Sequence, residues 1–373
     1  MIAENKYDNG EEERQEVREE EGKEEEKEKK RRHLFICFKC GEREPAPTDL
    51  KPAPPDAVSR WSKFAFIVIC PHCGDDTGHA GVVTRRNIAL TEGETEGWLG
   101  KREKPNPIAL WAANMECNEI IVALSKRTTD EIVNALIEHR GISEGFARWL
   151  VERGVRYGTI NELRLRASVS AFSKIKLPKS IRQDAPLFFL PLRYYPTPLE
   201  SYAVALQLRQ TVKDAEPRYI TVRFSGQTPL VHFALPTTDG TLIGRVAEVW
   251  LTEGYFKAEA IAYYRRAVAI GALGAIAQRD AMEALMDAAV WWQEDADLFN
   301  ATVILAPDAD YREKPQVATT AWRAKRILER LGFQARFAIW DARFKGIDDA
   351  LDAGIEPFIV DEDVFLATLP RKI

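Results

Sequence analysis

The sequence predicts an α/β protein whose C-terminal third contains a parallel β-sheet. Two short runs, V-W-L-T at Val249–Thr252 and V-I-L-A at Val303–Ala306, are apolar throughout. Continuous apolar character is typical of strands that are buried on both faces of a parallel sheet. A third run, Phe337–Trp340, follows a helical pattern over Val317–Leu331. Strands that alternate with helices indicate βαβ units and therefore a parallel sheet.

Acidic residues follow the first two of these predicted strands. Glu253 comes directly after the first strand, and Asp308 and Asp310 follow the second. The carboxyl ends of neighbouring strands face one crevice in such folds, so these side chains are expected to meet there. Two aspartates at i and i+2 repel one another, and Mg²⁺, which prefers oxygen ligands, removes that repulsion. The alternative is that the aspartates cap the next helix or form a turn.

Four short motifs occur in a fixed order in this third of the chain, and together they carry a family resemblance. They are Glu253-Gly254, Ala272-Leu273-Gly274-Ala275, Asp308-x-Asp310 and K-G-I-D-D-A-L at Lys345–Leu351. Their order resembles the Toprim-like domain of plasmid and phage primase and primase-helicase proteins, which is similar to bacterial-type DNA primases. The resemblance extends from about Arg245 to the C-terminus.

The resemblance implies a role for each acidic residue. Glu253 is expected to act in acid-base chemistry or to bind the metal, and Asp308 and Asp310 are expected to hold Mg²⁺. Asp348 or Asp349 is expected to support these ligands or to bind a second ion. Two differences from bacterial-type primases stand out, which are Lys257 in place of an aspartate and Tyr311-Arg312 in place of Ala-Gly. Lys257 therefore either contacts phosphate or neutralises a carboxylate.

Two Cys-x-x-Cys pairs near the N-terminus predict a structural zinc site. Each pair is followed by glycine, and the first is preceded by the strand-like run L-F-I. Four thiolates from two such turns form a closed tetrahedral Zn²⁺ site, as in a zinc ribbon. The expected zinc ligands are Cys37, Cys40, Cys70 and Cys73. Cys117 stands alone and is interpreted as an ordinary thiol.

The middle of the chain is basic and predicts contact with nucleic acid. Residues 147–230 contain 14 Lys and Arg against 6 Asp and Glu, although the whole chain has a net charge of −5. Such asymmetry favours binding of a phosphate backbone. Strands are predicted at Leu187–Arg193, Val204–Leu208, Tyr219–Phe224 and Val231–Ala234. Arginines lie near the ends of these strands, and the interleaved tyrosines are Tyr194, Tyr195, Tyr202 and Tyr219. Such an arrangement can hold single strands of nucleic acid. The alternative is that the tyrosines belong to the core and the arginines to a solvated sheet face. The candidate DNA-binding residues are Arg193, Arg209, Arg218 and Arg223.

Three elements are predicted in the segment before this basic region. Glu119–Leu124 is predicted as a strand, and Thr128–His139 as an amphipathic helix with Thr129 or Asp130 as its N-cap. Ile142–Gly154 predicts a short helix that resembles the start of primase cores.

The first 32 residues contain 13 acidic and 9 basic side chains and almost no apolar ones. They form either a solvated disordered tail, which we favour, or a single solvent-exposed helix held by Glu-to-Lys pairs. The predicted domain boundaries are a tail at 1–32, a zinc ribbon at 33–84, a connector at 85–146, a basic primase-core-like region at 147–244 and a Toprim-like domain at 245–373.

We therefore expect a primase-like DNA-binding nucleotidyltransferase from a plasmid, virus or mobile element, with Zn²⁺ and Mg²⁺ as cofactors. Its expected partners are a single-stranded DNA template and nucleotides. No Walker-type loop is present, so a replicative helicase would be a separate protein. No apolar stretch of about 18 residues is present, which predicts a cytoplasmic protein with no membrane span. The alternatives are a Toprim nuclease or strand-passage enzyme, and a non-catalytic zinc-ribbon protein in replication or recruitment.

Overall fold

The computed structural model describes residues 34–36, 43–45, 104–165, 182–212, 215–226, 228–237, 246–274, 276, 279–292 and 296–369. The chain divides into two compact units, Met1–Glu94 and Thr95–Ile373. In the first unit, β1 (Leu34–Ile36) and β2 (Arg43–Pro45) form an antiparallel pair. The strand predicted over L-F-I is therefore confirmed as β1. The four zinc-ribbon cysteines and the predicted tail at 1–32 lie outside the described residues, so the zinc site stays a prediction.

Three helices open the second unit: α1 (Pro107–Ala123), α2 (Thr129–Arg140) and α3 (Glu144–Glu152). The strand predicted over Glu119–Leu124 is wrong, because these residues form the last turns of α1 and its C-cap. A short apolar run does not distinguish a strand from a buried helix segment by periodicity. The helix begins at Pro107, where the fixed φ of proline suits the first turn, and Asn106 caps it.

The N-cap of α2 also differs from the prediction by one or two positions. Thr128 is the cap, and its hydroxyl accepts a hydrogen bond from the backbone N–H of Glu131. The Glu131 carboxylate accepts in return from the Thr128 N–H at 2.6 Å, which completes a capping box. A threonine one residue earlier than expected was the better cap because glutamate stands three positions after it. The helix itself, and the short helix predicted within Ile142–Gly154, are confirmed.

The basic middle region contains a four-stranded antiparallel sheet. Its strands are β3 (Arg156–Gly158), β4 (Leu187–Thr197), β5 (Glu200–Gln210) and β6 (Tyr219–Arg223), hydrogen-bonded in the order β3-β4-β5-β6. A short helix, α4 (Ile160–Arg164), follows β3. The strands predicted at Leu187–Arg193, Val204–Leu208 and Tyr219–Phe224 are confirmed as β4, β5 and β6, whereas β3 was not predicted. Strands β4 and β5 are longer than expected because they form one extended hairpin.

A six-stranded sheet occupies the C-terminal part of the second unit. It is formed by β7 (Val231–Ala234), β8 (Glu248–Glu253), β9 (Val268–Ala272), β10 (Thr302–Ala306), β11 (Gln334–Ile339) and β12 (Phe358–Val360). The strand order is β12-β11-β10-β8-β9-β7. The four central strands are parallel, and the two edge strands are antiparallel to their neighbours. The α/β fold with a parallel sheet is therefore confirmed.

Helices connect the strands of this sheet. They are α5 (Tyr255–Ala260), which continues into a π-helical turn at Ile261–Arg265, then α6 (Arg279–Trp291), α7 (Pro315–Arg330), α8 (Ile347–Asp352) and α9 (Glu362–Ala367). A single-turn 3-10 helix at Ala309–Arg312 follows β10. None of the helices among the described residues has both the length and the apolar character needed to cross a bilayer.

The two sheets of the second unit share one apolar core. It includes Phe188 and Leu190 of β4, Trp250 of β8 and Ile304 of β10, all of which are buried. Strand β7, which precedes residue 245, pairs with β9 and so belongs to the parallel sheet. Burial of this apolar surface fixes the position of the antiparallel sheet against the parallel one. Strands β8 and β10 are therefore held in place by packing against residues of both sheets.

Candidate active site

The predicted acidic site lies at the carboxyl ends of two adjacent parallel strands. Strands β8 and β10 are neighbours, and their last register pair joins Thr252 to Ala306. Glu253 is the next residue of β8, and Asp308 comes two residues after β10. Gly254 then turns the chain into α5 with φ of 94°, a conformation that glycine adopts without steric cost. The strand ends therefore bring Glu253 and Asp308 to the same edge of the sheet.

Lysines engage both aspartates of the Asp-x-Asp pair. Lys257, on the first turn of α5, forms an ion pair with Asp308 through Nζ and Oδ1. Asp310 pairs with Lys314 at 2.7 Å, and Nζ of Lys345 lies 3.7 Å from the same carboxylate. Partial burial works against ionisation of Asp310, but Lys314 and Lys345 outweigh it and lower the pKa of this residue.

Glu253 differs from the two aspartates in its electrostatic environment. Its pKa is raised to about 7, mainly because burial disfavours the charged form. Lys257 opposes this shift, whereas Asp308 and Asp310 add to it by repulsion. Glu253 is thus a carboxylate whose ionised form gains from an additional cation.

Glu253, Lys257, Asp308 and Lys345 line a cleft of about 470 Å³. One part of its lining is acidic and includes Glu253, Asp308 and Asp348. The other part comes from the antiparallel sheet and from α2. It comprises Arg140, Gln207, Arg218 and Tyr219. Acidic and basic side chains therefore face the same space, as required of a site that holds both a cation and phosphate groups.

Two arginines lie against the Phe256 ring beside this cleft. The Arg140 guanidinium lies 4.5 Å from the ring centroid and binds Asp348 at 2.8 Å, and Arg209 lies 5.8 Å from the same centroid. Arg209 is buried, and its Nε and Nη1 make no hydrogen bond within the described part of the chain. Burial and the neighbouring charge of Arg140 lower its pKa. An anion placed here would relieve this repulsion.

The four candidate DNA-binding arginines lie in different environments. Arg218 is exposed and lines the cleft, and Arg209 is buried next to it. Arg193 donates to Ser201 Oγ at 3.1 Å and to the Arg153 carbonyl at 3.2 Å, so its guanidinium supports the fold. Arg223 donates to the carbonyls of the loop that follows β6. Of the four, Arg218 alone belongs to the lining of the cleft.

The predicted tyrosines divide in the same way. Tyr194 and Tyr195 are 1% exposed, so the alternative interpretation as core residues is correct for both. Tyr219 is 38% exposed and lines the cleft beside Arg218. Cys117 is also buried, and burial raises the pKa of its thiol to about 12, consistent with an ordinary structural thiol.

The two aspartates of the K-G-I-D-D-A-L motif lie at the start of α8. Asp348 is 4% exposed and paired with Arg140, whereas the Asp349 side chain is exposed. Burial and repulsion from Asp348 raise the pKa of Asp349. Both residues line the cleft, so the motif does contribute to the acidic wall.

Carboxylate oxygens are suitable ligands for Mg²⁺, but the grouping of the side chains limits how many of them can bind one ion. Among the described residues, no three His, Cys, Asp or Glu side chains are grouped so that they hold a metal ion together. Mg²⁺ in phosphoryl-transfer sites commonly takes one or two carboxylates and completes its shell with water and substrate phosphate. Glu253 and Asp308 offer carboxylate oxygens to the cleft, and the lysines on Asp310 are more than half exposed.

A second buried carboxylate lies at the other end of α5. Glu259 accepts hydrogen bonds from Trp149 Nε1 and His232 Nε2, both at 2.8 Å, and forms an ion pair with Arg153 at 3.3 Å. The Arg193 backbone N–H donates to His232 Nδ1, which fixes the tautomer with its proton on Nε2. Burial lowers the pKa of His232, so the ring is neutral. This cluster, the Glu259 network, connects α5 to α3 and β7.

Sequence reasoning did not assign a role to several residues that line the cleft. They are Arg140, Gln207, Phe256 and Lys345. Of these four residues, Lys345 was the easiest to predict from the sequence, because it belongs to the K-G-I-D-D-A-L motif. Arg140 ends a capped helix, and nothing in the spacing indicates that this end reaches an acidic loop more than 200 residues away.

Comparison with solved structures shows similarity to bacterial primase cores. The chain is 17% identical to a DnaG primase catalytic domain bound to ssDNA, covering 68% of this chain and 81% of that one, with a TM-score of 0.43. It is 16% identical to the Aquifex aeolicus primase with its zinc-binding and RNA polymerase domains, covering 81% and 83%, with a TM-score of 0.41. For the E. coli primase catalytic core the identity is 15%, the coverage 70% and 79%, and the TM-score 0.41.

No family model matches the chain, and no curated protein matches it either.

Proposed function

We propose that the chain is a primase-like nucleotidyltransferase that acts on a single-stranded DNA template. The observation that carries the proposal is the cleft in which strand-end carboxylates and arginines of the antiparallel sheet face one another. The resemblance of Glu253-Gly254, Asp308-x-Asp310 and K-G-I-D-D-A-L to Toprim motifs supports the same class of reaction. A plasmid, virus or other mobile element as the source, and a separate helicase as partner, remain part of this proposal.

In this reaction a 3′-hydroxyl oxygen forms a bond to the α-phosphorus of the incoming nucleotide. The bond from that phosphorus to the bridging oxygen breaks, the hydroxyl proton is lost, and pyrophosphate leaves. Arg218 is exposed at the cleft and is suited to bind phosphate oxygens, and Tyr219 offers a face for base stacking. Lys345 is 66% exposed and can reach a phosphate from the opposite wall.

Glu253, Asp308 and Asp310 are the residues that would hold Mg²⁺, as their resemblance to the Toprim acids implies. When bound, this ion neutralises charge that develops on the reacting phosphate. Asp308 is held by Lys257, and Asp348 is held by Arg140, so both shape the acidic wall. The zinc ribbon, with its four cysteines outside the described residues, would contact the template.

Primer synthesis tests the proposal directly. The purified protein is incubated with single-stranded DNA, labelled nucleotides and Mg²⁺, and products are separated by length. Wild type should extend labelled products, and Asp310→Asn should reduce the rate by about 100-fold or more, since charge stabilisation at such sites has effects of this order. Asp341→Asn is the matched control, because this exposed-loop aspartate pairs with Arg343 outside the cleft. Absence of product from wild type on every template would contradict the proposal.

One observation favours a second candidate, a non-catalytic DNA-binding protein. Both aspartates of the Asp-x-Asp pair already have lysine partners. This candidate predicts DNA binding that persists in Asp308→Ala and no nucleotide incorporation under any condition. Nicking or relaxation of supercoiled DNA with Mg²⁺ would instead identify the nuclease or strand-passage alternative.

A further inference from the structure

Helix α8 carries the K-G-I-D-D-A-L motif into the cleft and has two aspartates on one face. Asp348 and Asp352 are four positions apart, so they lie one above the other on the helix surface. Asp349 is exposed and lines the cleft, and Ile347 and Leu351 are buried in the core. The position of α8 therefore decides where the Asp349 carboxylate lies in the cleft.

One tight turn between α2 and α3 contacts both aspartates of that face. Arg140, the last residue of α2, forms an ion pair with Asp348 at 2.8 Å, and the two side chains are 14% and 6% exposed. Ser143, the N-cap of α3, donates its backbone N–H to Asp352 Oδ2 at 2.8 Å. Ile142, between them, is buried in the apolar core and anchors the turn. The turn therefore holds α8 at both ends.

A closed set of hydrogen bonds forms at the end of α8 that lies away from the cleft. Tyr264 lies on the π-helical turn that follows α5, and its hydroxyl donates to Asp352 Oδ1. The Ser143 hydroxyl lies 3.0 Å from the Tyr264 hydroxyl and donates to it, because the single proton of Tyr264 is directed to the carboxylate. The Ser143 N–H completes the set on the other carboxylate oxygen. We call these three residues the Asp352 clamp.

The other end of α8 is packed closely against α5. A Cβ on Gly346 would collide with Asp348 Oδ1 and would lie 3.2 Å from Lys257 Cε. The Lys345 carbonyl accepts from the Ala309 N–H at 2.8 Å, which ties the start of the motif to the turn after β10. Helix α8 has six residues and is therefore only about 9 Å long, so it moves as one rigid unit. A shift at its far end is transmitted directly to the cleft.

We propose that the Asp352 clamp positions α8, and through it Asp349 and Gly346, for the reaction in the cleft. The inference rests on the proposed function and deepens it by naming residues that act on its site from outside. Ser143, Tyr264 and Asp352 do not belong to the cleft lining, so they are positioning residues that act through the helix. A displacement of about 1 Å in a reacting site can slow turnover by about 100-fold, so loss of the clamp affects the rate of the reaction.

Steady-state kinetics of primer synthesis by the full chain test the inference. Tyr264→Phe removes only a hydroxyl of the clamp. It should lower kcat by about tenfold and change KM for the nucleotide by less than about twofold, because geometry is lost and affinity is kept. Tyr263→Phe is the matched control, since Tyr263 is the neighbouring residue of the same turn and packs on Phe146 at 5.7 Å between ring centroids. An unchanged kcat in Tyr264→Phe, or an equal loss in Tyr263→Phe, would overturn the inference.

A second variant separates positioning from a general loss of folded protein. Asp352→Asn breaks the clamp at its carboxylate, because an amide nitrogen replaces one of the two acceptor oxygens. With kcat expressed per folded molecule, Tyr264→Phe combined with Asp352→Asn should be no more than about twofold slower than the slower single variant. Losses that multiply would show that the two residues act independently and would overturn the inference. If Tyr264→Phe does not fold, Asp352→Asn alone should show the same tenfold loss of kcat, and an unchanged kcat would overturn the inference.

Hydrogen exchange distinguishes failure of this inference from failure of the proposed function. The backbone amides of residues 345–353 should exchange at least about fivefold faster in Tyr264→Phe than in wild type, and at the wild-type rate in Tyr263→Phe. A wild type that makes no primer would contradict the proposed function. Unchanged exchange in Tyr264→Phe would overturn the positioning of α8, whether or not primers are made.

Discussion

Two glutamates, six positions apart at opposite ends of α5, have opposite electrostatic environments. Glu259 is fully buried, yet its pKa falls to about 2, because Arg153, His232 and Trp149 outweigh the effect of burial. Glu253 is less buried, yet its pKa rises to about 7 through burial and repulsion from two aspartates. Glu253 makes no side-chain hydrogen bond within the part of the chain that the structure describes.

The difference shows that the two ends of α5 have different roles. Glu253, just before the helix, faces the cleft, and Glu259, near its end, is buried in the core. Glu259 has its own donors and a permanent positive partner, so its charge is satisfied by the fold. The fold disfavours the charge of Glu253, as is common for groups in functional clefts. Burial alone raises the pKa of both carboxylates, and the neighbours of each one decide the direction of its shift. The comparison predicts that loss of Glu259 damages stability and that loss of Glu253 does not.

Glu259→Ala should have the largest effect. It leaves Arg153 buried without its carboxylate, and broken buried ion pairs cost about 3–5 kcal/mol. The free energy of unfolding from urea titration should fall by that amount. The matched control is Glu152→Ala, an exposed glutamate on α3, which should change it by less than about 0.5 kcal/mol. If Glu259→Ala lowered the free energy of unfolding no more than Glu152→Ala does, Glu259 would not be stabilised by its buried partners and the contrast with Glu253 would fail.

Trp149→Phe should have an intermediate effect. It removes one of the donors to Glu259 while Arg153 and His232 remain, and a single hydrogen bond to a charged group contributes about 1.5–3 kcal/mol. Thermal unfolding should show a lower Tm than wild type but a higher one than Glu259→Ala. The double variant Trp149→Phe and Glu259→Ala should lose less stability than the sum of the two single losses, because both substitutions remove the same hydrogen bond. Strict additivity would show that Trp149 acts independently of the carboxylate.

Glu253→Gln should have the smallest effect, and the opposite sign. Because the folded pKa of Glu253 lies above its unfolded value, its ionisation disfavours the folded state as pH rises from about 4.5 through 7. The neutral variant should therefore be more stable than wild type at pH 8 by about 1 kcal/mol, after allowance for solvent screening, and equal to it at pH 4.

Denaturant titrations at both pH values, without divalent ions, measure the difference. Glu259 behaves in the opposite direction, since its stabilising contribution is present above about pH 4.5 and is lost as pH falls towards 2. The raised pKa of Glu253 would be contradicted if the Glu253→Gln variant were less stable than wild type at pH 8.

The sequence predicted the strands that carry the site but not the surroundings of each side chain. Strands β8 and β10 were predictable because buried parallel strands are mainly apolar, and acids that follow such runs are conspicuous. Only the end of β11 was predicted, because Gln334 and Arg336 interrupt its apolar character. Glu119–Leu124 was assigned to the wrong element because an equally apolar run ended a buried helix. Glu259 stands within an apolar segment, which indicates a buried charge, but its partners are as many as 110 positions away. Pairings over such distances follow from packing and are not encoded in local patterns.

The Glu259 network has a practical consequence for the choice of protein fragments. A fragment limited to the predicted Toprim-like region, residues 245–373, would lack Trp149, Arg153 and His232, together with the edge strand β7. Glu259 would then be left with neither donors nor a cationic partner. Expression trials that aim to keep the candidate active site intact should therefore start before α3.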